Sequence, residues 1–171
     1  VKRDPENLTA LNFLGSLKGA SGDKSGARAT YMRVLEKDSG FVPSILNLAR
    51  LDASEMRFDE ARRRLDGLLK QNSNDYQVLY EYGQLEQRAG RNAEAARYLM
   101  KAGEIQRLDA GPSLALIDLY ISQRQNSKAL DVAKDLAGKF SFSLQVQLAL
   151  ARAYLANQDV VNARTILGTA T

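Results

Sequence analysis

Alanine recurs every 34 residues along this 171-residue chain, and this periodicity constrains the fold more than any other feature of the sequence. The column consists of Ala27, Ala61, Ala95, Ala129 and Ala163. A period of about 20–50 residues is typical of arrays in which each repeat is one supersecondary unit that buries its apolar face against its neighbours. The sequence therefore predicts a repetitive architecture.

Further columns share this register. Twelve to thirteen residues before each alanine, a large apolar residue is followed in four of five cases by a small one: Leu14-Gly15, Leu48-Ala49, Tyr82-Gly83, Leu116-Ile117 and Leu150-Ala151. Four residues after each alanine, another column is apolar: Tyr31, Leu65, Leu99, Ala133 and Leu167. Apolar residues at helical spacing on both sides of a short polar or glycine-containing turn predict two helices per repeat. Small residues in two columns allow the two helix axes to approach closely.

The composition excludes several classes of function. The chain has no His, no Cys and no Trp, so it cannot supply a Cys/His zinc site, a Cys nucleophile or a Ser-His-Asp triad. Its net charge of +4 is spread evenly, whereas nucleic-acid binding favours a basic stripe. No apolar run approaches the roughly 18 residues of a membrane span. We predict no catalytic activity, cofactor, metal, nucleic-acid partner or membrane span for this segment.

The columns resemble the tetratricopeptide repeat, a 34-residue helix–turn–helix unit. The resemblance implies an all-α fold, a right-handed superhelical solenoid of antiparallel helix pairs. In the register of that family, residues 1–171 form one domain with units 8–41, 42–75, 76–109, 110–143 and 144–171, of which the last is incomplete. Asp4-Pro5 lies where repeats of the family usually close, so residues 1–7 are interpreted as the tail of a preceding repeat.

The resemblance also implies a concave surface formed by the first helix of each unit. Six polar residues at the corresponding positions are the candidate partner-binding residues: Arg50, Gln77, Tyr80, Gln84, Asp118 and Arg152. Four leucines fall on the same face: Leu46, Leu114, Leu148 and Leu155. An arginine fork can pair with carboxylates, and a tyrosine edged by amides can contact peptide backbone or sugar hydroxyls. The alternative is that these residues are the solvated inner face of a spacer.

A narrower resemblance rests on the run from Gly40 to Asp52, followed by Asp59-Glu-Ala-Arg and Leu68-Leu-Lys. It is similar to the tetratricopeptide lipoprotein of the PEP-CTERM/exosortase system, which is anchored by an N-terminal lipid and associated with surface polysaccharide and protein sorting. This resemblance implies a scaffold in the bacterial cell envelope, in the periplasm or on the outer membrane. Its expected partners are envelope export or sorting components.

Two other functions stay open, a cytoplasmic peptide-binding adaptor of the co-chaperone kind and the interaction arm of a larger enzyme. The chaperone clamp of some tetratricopeptide domains uses five basic and amide side chains. The corresponding residues in this chain are Asn12, Ser16, Asn47, Gln77 and Glu81. Because only Asn47 fits and Glu81 has the wrong charge, the sequence disfavours a chaperone clamp. Each of these functions implies a protein or peptide partner.

Two further segments lead to expectations. The basic run Arg62–Arg64 is interpreted as a solvated helix face, because Asp59 and Glu60 lie four residues before Arg63 and Arg64. At the C-terminal end, Ile166, Leu167 and Ala170 have no following helix in the sequence. We therefore expect that end to be covered by a neighbouring molecule, through self-association, or to be frayed.

Overall fold

The computed structural model describes residues 7–169, without the side chain of the last of these, and these residues form ten helices and no strand. This confirms the all-α prediction. The helices are α1 Leu8–Ala20, α2 Lys24–Lys37, α3 Val42–Ser54, α4 Phe58–Gln71, α5 Tyr76–Arg88, α6 Asn92–Ile105, α7 Gly111–Ser122, α8 Asn126–Lys139, α9 Leu144–Ala156 and α10 Val160–Thr169. Asp4-Pro5 and Ala170, on which two expectations rest, lie outside the described residues.

The helix starts follow from local side-chain chemistry. The first helix of several repeats begins after a residue whose side chain accepts a hydrogen bond from the backbone N–H three residues later: Asn7, Asp75 and Ser143. Pro43 and Pro112 lie in the first turns of α3 and α7, where the absent N–H has no intrahelical acceptor to lose. These signals place the start of the first helix of each repeat within the 34-residue period.

The helices form two compact units, residues 1–73 with α1–α4 and residues 74–171 with α5–α10. In each unit, the two helices joined by a short turn fold back against each other, and a second helix also packs against the first helix of the next pair. In unit 1, Leu48 of α3 is fully buried against Ala27 and Tyr31 of α2. In unit 2, one continuous core extends from Ala95 to Ala153.

The alanine column is buried in every repeat. All five alanines have at most 1% of their surface exposed. At the companion column, a Cβ added to Gly83 would lie 2.7 Å from Leu99 and one added to Gly15 would lie 2.5 Å from the ring of Tyr31. The helix axes are therefore separated by a distance that small residues permit and larger ones do not.

We expect Ala95→Leu to reduce the free energy of unfolding by about 1–3 kcal/mol, because the added methyl groups have no space in the buried contact. Ala93→Leu is the matched control, since Ala93 is exposed on the same helix and leucine is almost as good a helix former as alanine. The measurement is urea unfolding followed by circular dichroism. Equal effects of the two substitutions would contradict the packing role of the column.

A second column fixes the turn between the helices of each pair. Five residues spaced by 34 have positive φ angles between 57° and 89°: Gly22, Met56, Gly90, Arg124 and Gln158. Glycine adopts this left-handed conformation without steric cost, but any other residue brings its Cβ close to the following carbonyl. Three of the five turns therefore retain the backbone conformation with an unfavourable residue.

We expect Met56→Gly to raise the free energy of unfolding by about 1 kcal/mol, because it relieves the left-handed strain at an exposed position. Met56→Ala is the control, since alanine keeps the Cβ and therefore the strain. Both variants are compared by thermal and urea unfolding. A gain from alanine as large as that from glycine would show that the strain is not the cause.

Candidate functional site

The six candidate residues divide between the two units. Arg50 belongs to unit 1, and the other five belong to unit 2. Arg50 is exposed on α3 and its Nη1 donates to Asn47 Oδ1 at 3.0 Å. The amide of Asn47 in turn donates to Asn12 Oδ1 at 3.0 Å, and Ser44 donates to the same oxygen. Arg50 therefore belongs to a polar network that links the first helices of repeats one and two. The amide of Asn47, the one residue that fits the chaperone clamp, is used within this network.

Tyr80 is the aromatic candidate and lies half-buried on α5. Its ring stacks on Tyr76, with centroids 6.3 Å apart and planes within 2° of parallel. The Tyr76 hydroxyl donates to Asp109, and the second Asp109 oxygen accepts from the backbone N–H of Gly111 at 2.7 Å. Burial, together with the Asp109 carboxylate, raises the pKa of Tyr76, so the phenol stays protonated and keeps donating. Tyr80 therefore rests on a fixed aromatic support beside the start of α7.

The two amide candidates lie on the same helix as Tyr80. Gln77 is exposed and Gln84 is half-buried. Gln84 and Asp118 occupy the same position in successive repeats, 34 residues apart. Gln77 and Gln84 present amide donors and acceptors on the surface of α5.

Asp118 and Arg152 are the two candidates that the structure brings into direct contact. Arg152 Nη2 lies 2.6 Å from Asp118 Oδ1, and about half of each side chain is exposed. The residues are 34 positions apart, so the ion pair joins equivalent positions of α7 and α9. An exposed pair of this kind contributes about 1 kcal/mol or less to stability. Its charges therefore stay accessible to a partner.

An apolar cleft lies beside this ion pair, and we call it the α7–α9 cleft. Its volume is about 340 Å³. The lining residues are Leu114, Asp118, Gln145, Leu148, Ala149, Ala151, Arg152, Leu155 and Leu167. Leu148, Leu155 and Leu167 are each 40–49% exposed and lie together in this cleft. The cleft can bury an apolar side chain while its charged edge contacts a polar group.

The sequence predicted much of this cleft and missed some of it. The three leucines of α7 and α9 and both charged residues were predicted on the first-helix face. Leu167 was expected to be left without a covering helix, but not to line a site. Its equivalents Tyr31, Leu65, Leu99 and Ala133 are at most 5% exposed, whereas Leu167 is 40% exposed. Leu167 therefore lines the cleft with a partly exposed side chain, unlike its equivalents.

The basic run of α4 differs in part from its sequence interpretation. Arg62 pairs with Asp59 at 2.8 Å and Arg63 with Glu60 at 2.9 Å, three residues apart rather than four. Only Arg63 has a well-exposed side chain, at 73%, whereas that of Arg62 is 19% exposed. Arg64, with a side chain that is 27% exposed, does not lie on a solvated face either. Its Nε donates at 2.8 Å to Asp52 on α3, a carboxylate that is only 1% exposed. The sequence interpretation of Arg64 was wrong because its partner is the buried Asp52 on the other helix of the pair, 12 residues earlier, and not the exposed Glu60.

Within residues 7–169, every helix is too short or too polar to cross a bilayer. In the same residues, acidic side chains do not gather in groups of three that could hold a metal ion.

Repeated antiparallel helix pairs define a helical-repeat protein. The tetratricopeptide repeat profile matches residues 46–112 and 114–170, which is more than half of the chain. The chain therefore belongs to the tetratricopeptide repeat family, whose fold is a scaffold suited to protein–protein interaction. No curated protein sequence matches it significantly.

Solved structures with the same fold come from diverse proteins. MamA is 19% identical over 96% of this chain and 90% of its own, with a TM-score of 0.71. PilF of Pseudomonas aeruginosa is 19% identical over 96% of this chain and 76% of its own, with a TM-score of 0.77. Yeast Tom70 is 16% identical over 99% of this chain and 37% of its own, with a TM-score of 0.82. At such identities, the similarity concerns the fold.

Proposed function

We propose that this chain is a non-catalytic scaffold that binds a protein segment in the α7–α9 cleft. The observation that carries the proposal is the combination of exposed leucines and a solvent-accessible ion pair on one face of unit 2. Exposed apolar area of this kind is costly in water and marks interaction sites. The size of the cleft suits one or two side chains of a peptide, which is smaller than most cofactor sites.

The chemistry of the cleft favours a particular kind of segment. Leu148 and Leu155 supply an apolar floor, so the segment would insert a leucine-like side chain. Arg152 donates to Asp118 through Nη2, and its remaining guanidinium hydrogens can meet an acidic residue of the segment. The partner is therefore a peptide segment in which an apolar residue lies near a carboxylate.

We further propose that the scaffold works in a bacterial cell-envelope system of the PEP-CTERM/exosortase kind, with export or sorting components as partners. The support is the resemblance of Gly40–Asp52 and the segments that follow it. The localisation would be the periplasm or the outer-membrane surface. In such a system, a repeat scaffold would hold partner proteins at set positions without performing chemistry itself.

The cleft is tested by selecting binders from a displayed library of random peptides and measuring their affinity by fluorescence anisotropy. We expect selected peptides to combine an apolar and an acidic residue, and Leu148→Asp to weaken their binding at least tenfold because it places a carboxylate in the apolar floor. Val161→Asp is the matched control, since Val161 is 75% exposed and does not line the cleft. Peptides that bind the Leu148 variant as tightly as the wild type would contradict the proposed site.

The envelope context is tested separately, by reading the gene upstream of the codon for Val1 and fractionating the source cells. The expected result is a signal peptide that ends in a lipid-acceptor cysteine, with the protein in the membrane or periplasmic fraction. A protein confined to the cytosolic fraction would refute the envelope proposal and leave the cleft proposal intact.

A further inference from the structure

We propose that unit 1 contains a binding site for a tetrahedral oxyanion, of the phosphate type, built from Arg28, Arg57 and Arg64 around the carboxylates of Asp52 and Glu55. We call this group the arginine cluster. It lies on α2, α3, α4 and the turn between the last two helices. It shares no residue with the α7–α9 cleft and does not depend on the proposed function.

The centre of the cluster is the Asp52 carboxylate, which is 1% exposed. Its Oδ1 accepts from Arg57 Nη2 at 3.0 Å and forms an ion pair with Arg28 Nη2 at 2.8 Å, while its Oδ2 accepts from Arg64 Nε at 2.8 Å. Glu55 accepts from Arg28 at 2.7 Å and also from Arg57. Three guanidinium groups from separate segments are therefore held close together at one point.

The cluster contains more positive charge than the buried carboxylate requires. Three arginines face two carboxylates, which leaves one net positive charge in a partly buried position.

The surplus guanidinium hydrogens are available to a ligand. In the described part of the chain, the Arg64 bond to Asp52 uses Nε, which leaves Nη1 and Nη2 free. Nη1 of Arg57 and Nη1 and Nε of Arg28 likewise have no acceptor there. These three side chains are 27–41% exposed, so an ion can reach them from solvent. Arg64 also lines an open depression of about 370 Å³ with Glu60 and Arg63.

This arrangement suits an oxyanion better than other ligands. Guanidinium groups donate in a planar fork that matches the oxygens of phosphate, sulfate and carboxylate groups. A tetrahedral anion can accept from two of the arginines at once, because its oxygens point in different directions. The carboxylates of Glu55 and of the Arg63–Glu60 pair lie nearby and repel an anion, so the affinity for the oxyanion is moderate. We expect a dissociation constant on the order of 1 mM for inorganic phosphate at low ionic strength.

The test titrates inorganic phosphate into the whole chain and three variants by isothermal calorimetry at low, constant ionic strength. Arg57→Gln makes the cluster neutral and should weaken phosphate binding about fivefold or more, while Arg28 and Arg64 still hold Asp52. Glu55→Gln raises the net charge of the cluster to about +2 and should strengthen binding by a similar factor. Arg97→Gln, which removes an exposed arginine paired with Glu94 in unit 2, should change nothing.

The opposite signs of the two cluster variants separate binding from a purely structural role. If the arginines only stabilise the fold, both variants lower stability and neither changes an affinity for phosphate. Absence of phosphate binding to the wild-type chain, or equal affinity in the wild type, Arg57→Gln and Glu55→Gln, would overturn the proposal. Glycerol phosphate is then titrated in place of inorganic phosphate. Equal affinity for the two indicates a site for a phosphoryl group carried on a larger molecule, whereas weaker binding of the ester indicates a site for the free ion.

Discussion

The close approach of paired helices is the physical constraint on which the rest of this structure depends. Two helices can approach to the observed degree only if small residues occupy part of their contact, and the five buried alanines meet that requirement at the same position of each repeat. The glycine facing Leu99 shows how little space remains, since even one methyl group would clash. Because these contacts are local to each pair, every repeat can form by the same rule, and its neighbours cover the remaining apolar surface.

The fold was predictable because this constraint leaves a regular trace in the sequence. Ala27 and its equivalents, the small residues near Gly83 and the apolar residues after them agree in one register, so helix pairs followed directly. The column of left-handed turn residues was not predicted, because only two of its five members are glycines and the other three carry no such mark. There, backbone geometry imposed by the packed helices overrides residue preference.

The candidate site was partly predictable for a related reason. A repeat register indicates which residues share a face, and it placed Asp118, Arg152 and three leucines on the surface that forms the α7–α9 cleft. The register does not indicate which faces stay uncovered, so the role of Leu167 required the structure. Nor does it reveal long side chains that cross between helices, and Arg64 was therefore assigned to solvent although it reaches the buried Asp52.

The ion pair between Asp118 and Arg152 has a consequence for how such arrays change over generations. It joins equivalent positions of adjacent repeats. The residues at this position along the chain are Ser16, Arg50, Gln84, Asp118 and Arg152. Gene recombination that removes one whole repeat keeps the small-residue packing intact. It changes which side chains of this column lie next to each other at the point of the deletion. Loss of residues 110–143 would bring Arg152 next to Gln84 in register, without an ionic partner. The repeats therefore share one packing rule, but they are not interchangeable, because their order determines which side chains of this column become neighbours.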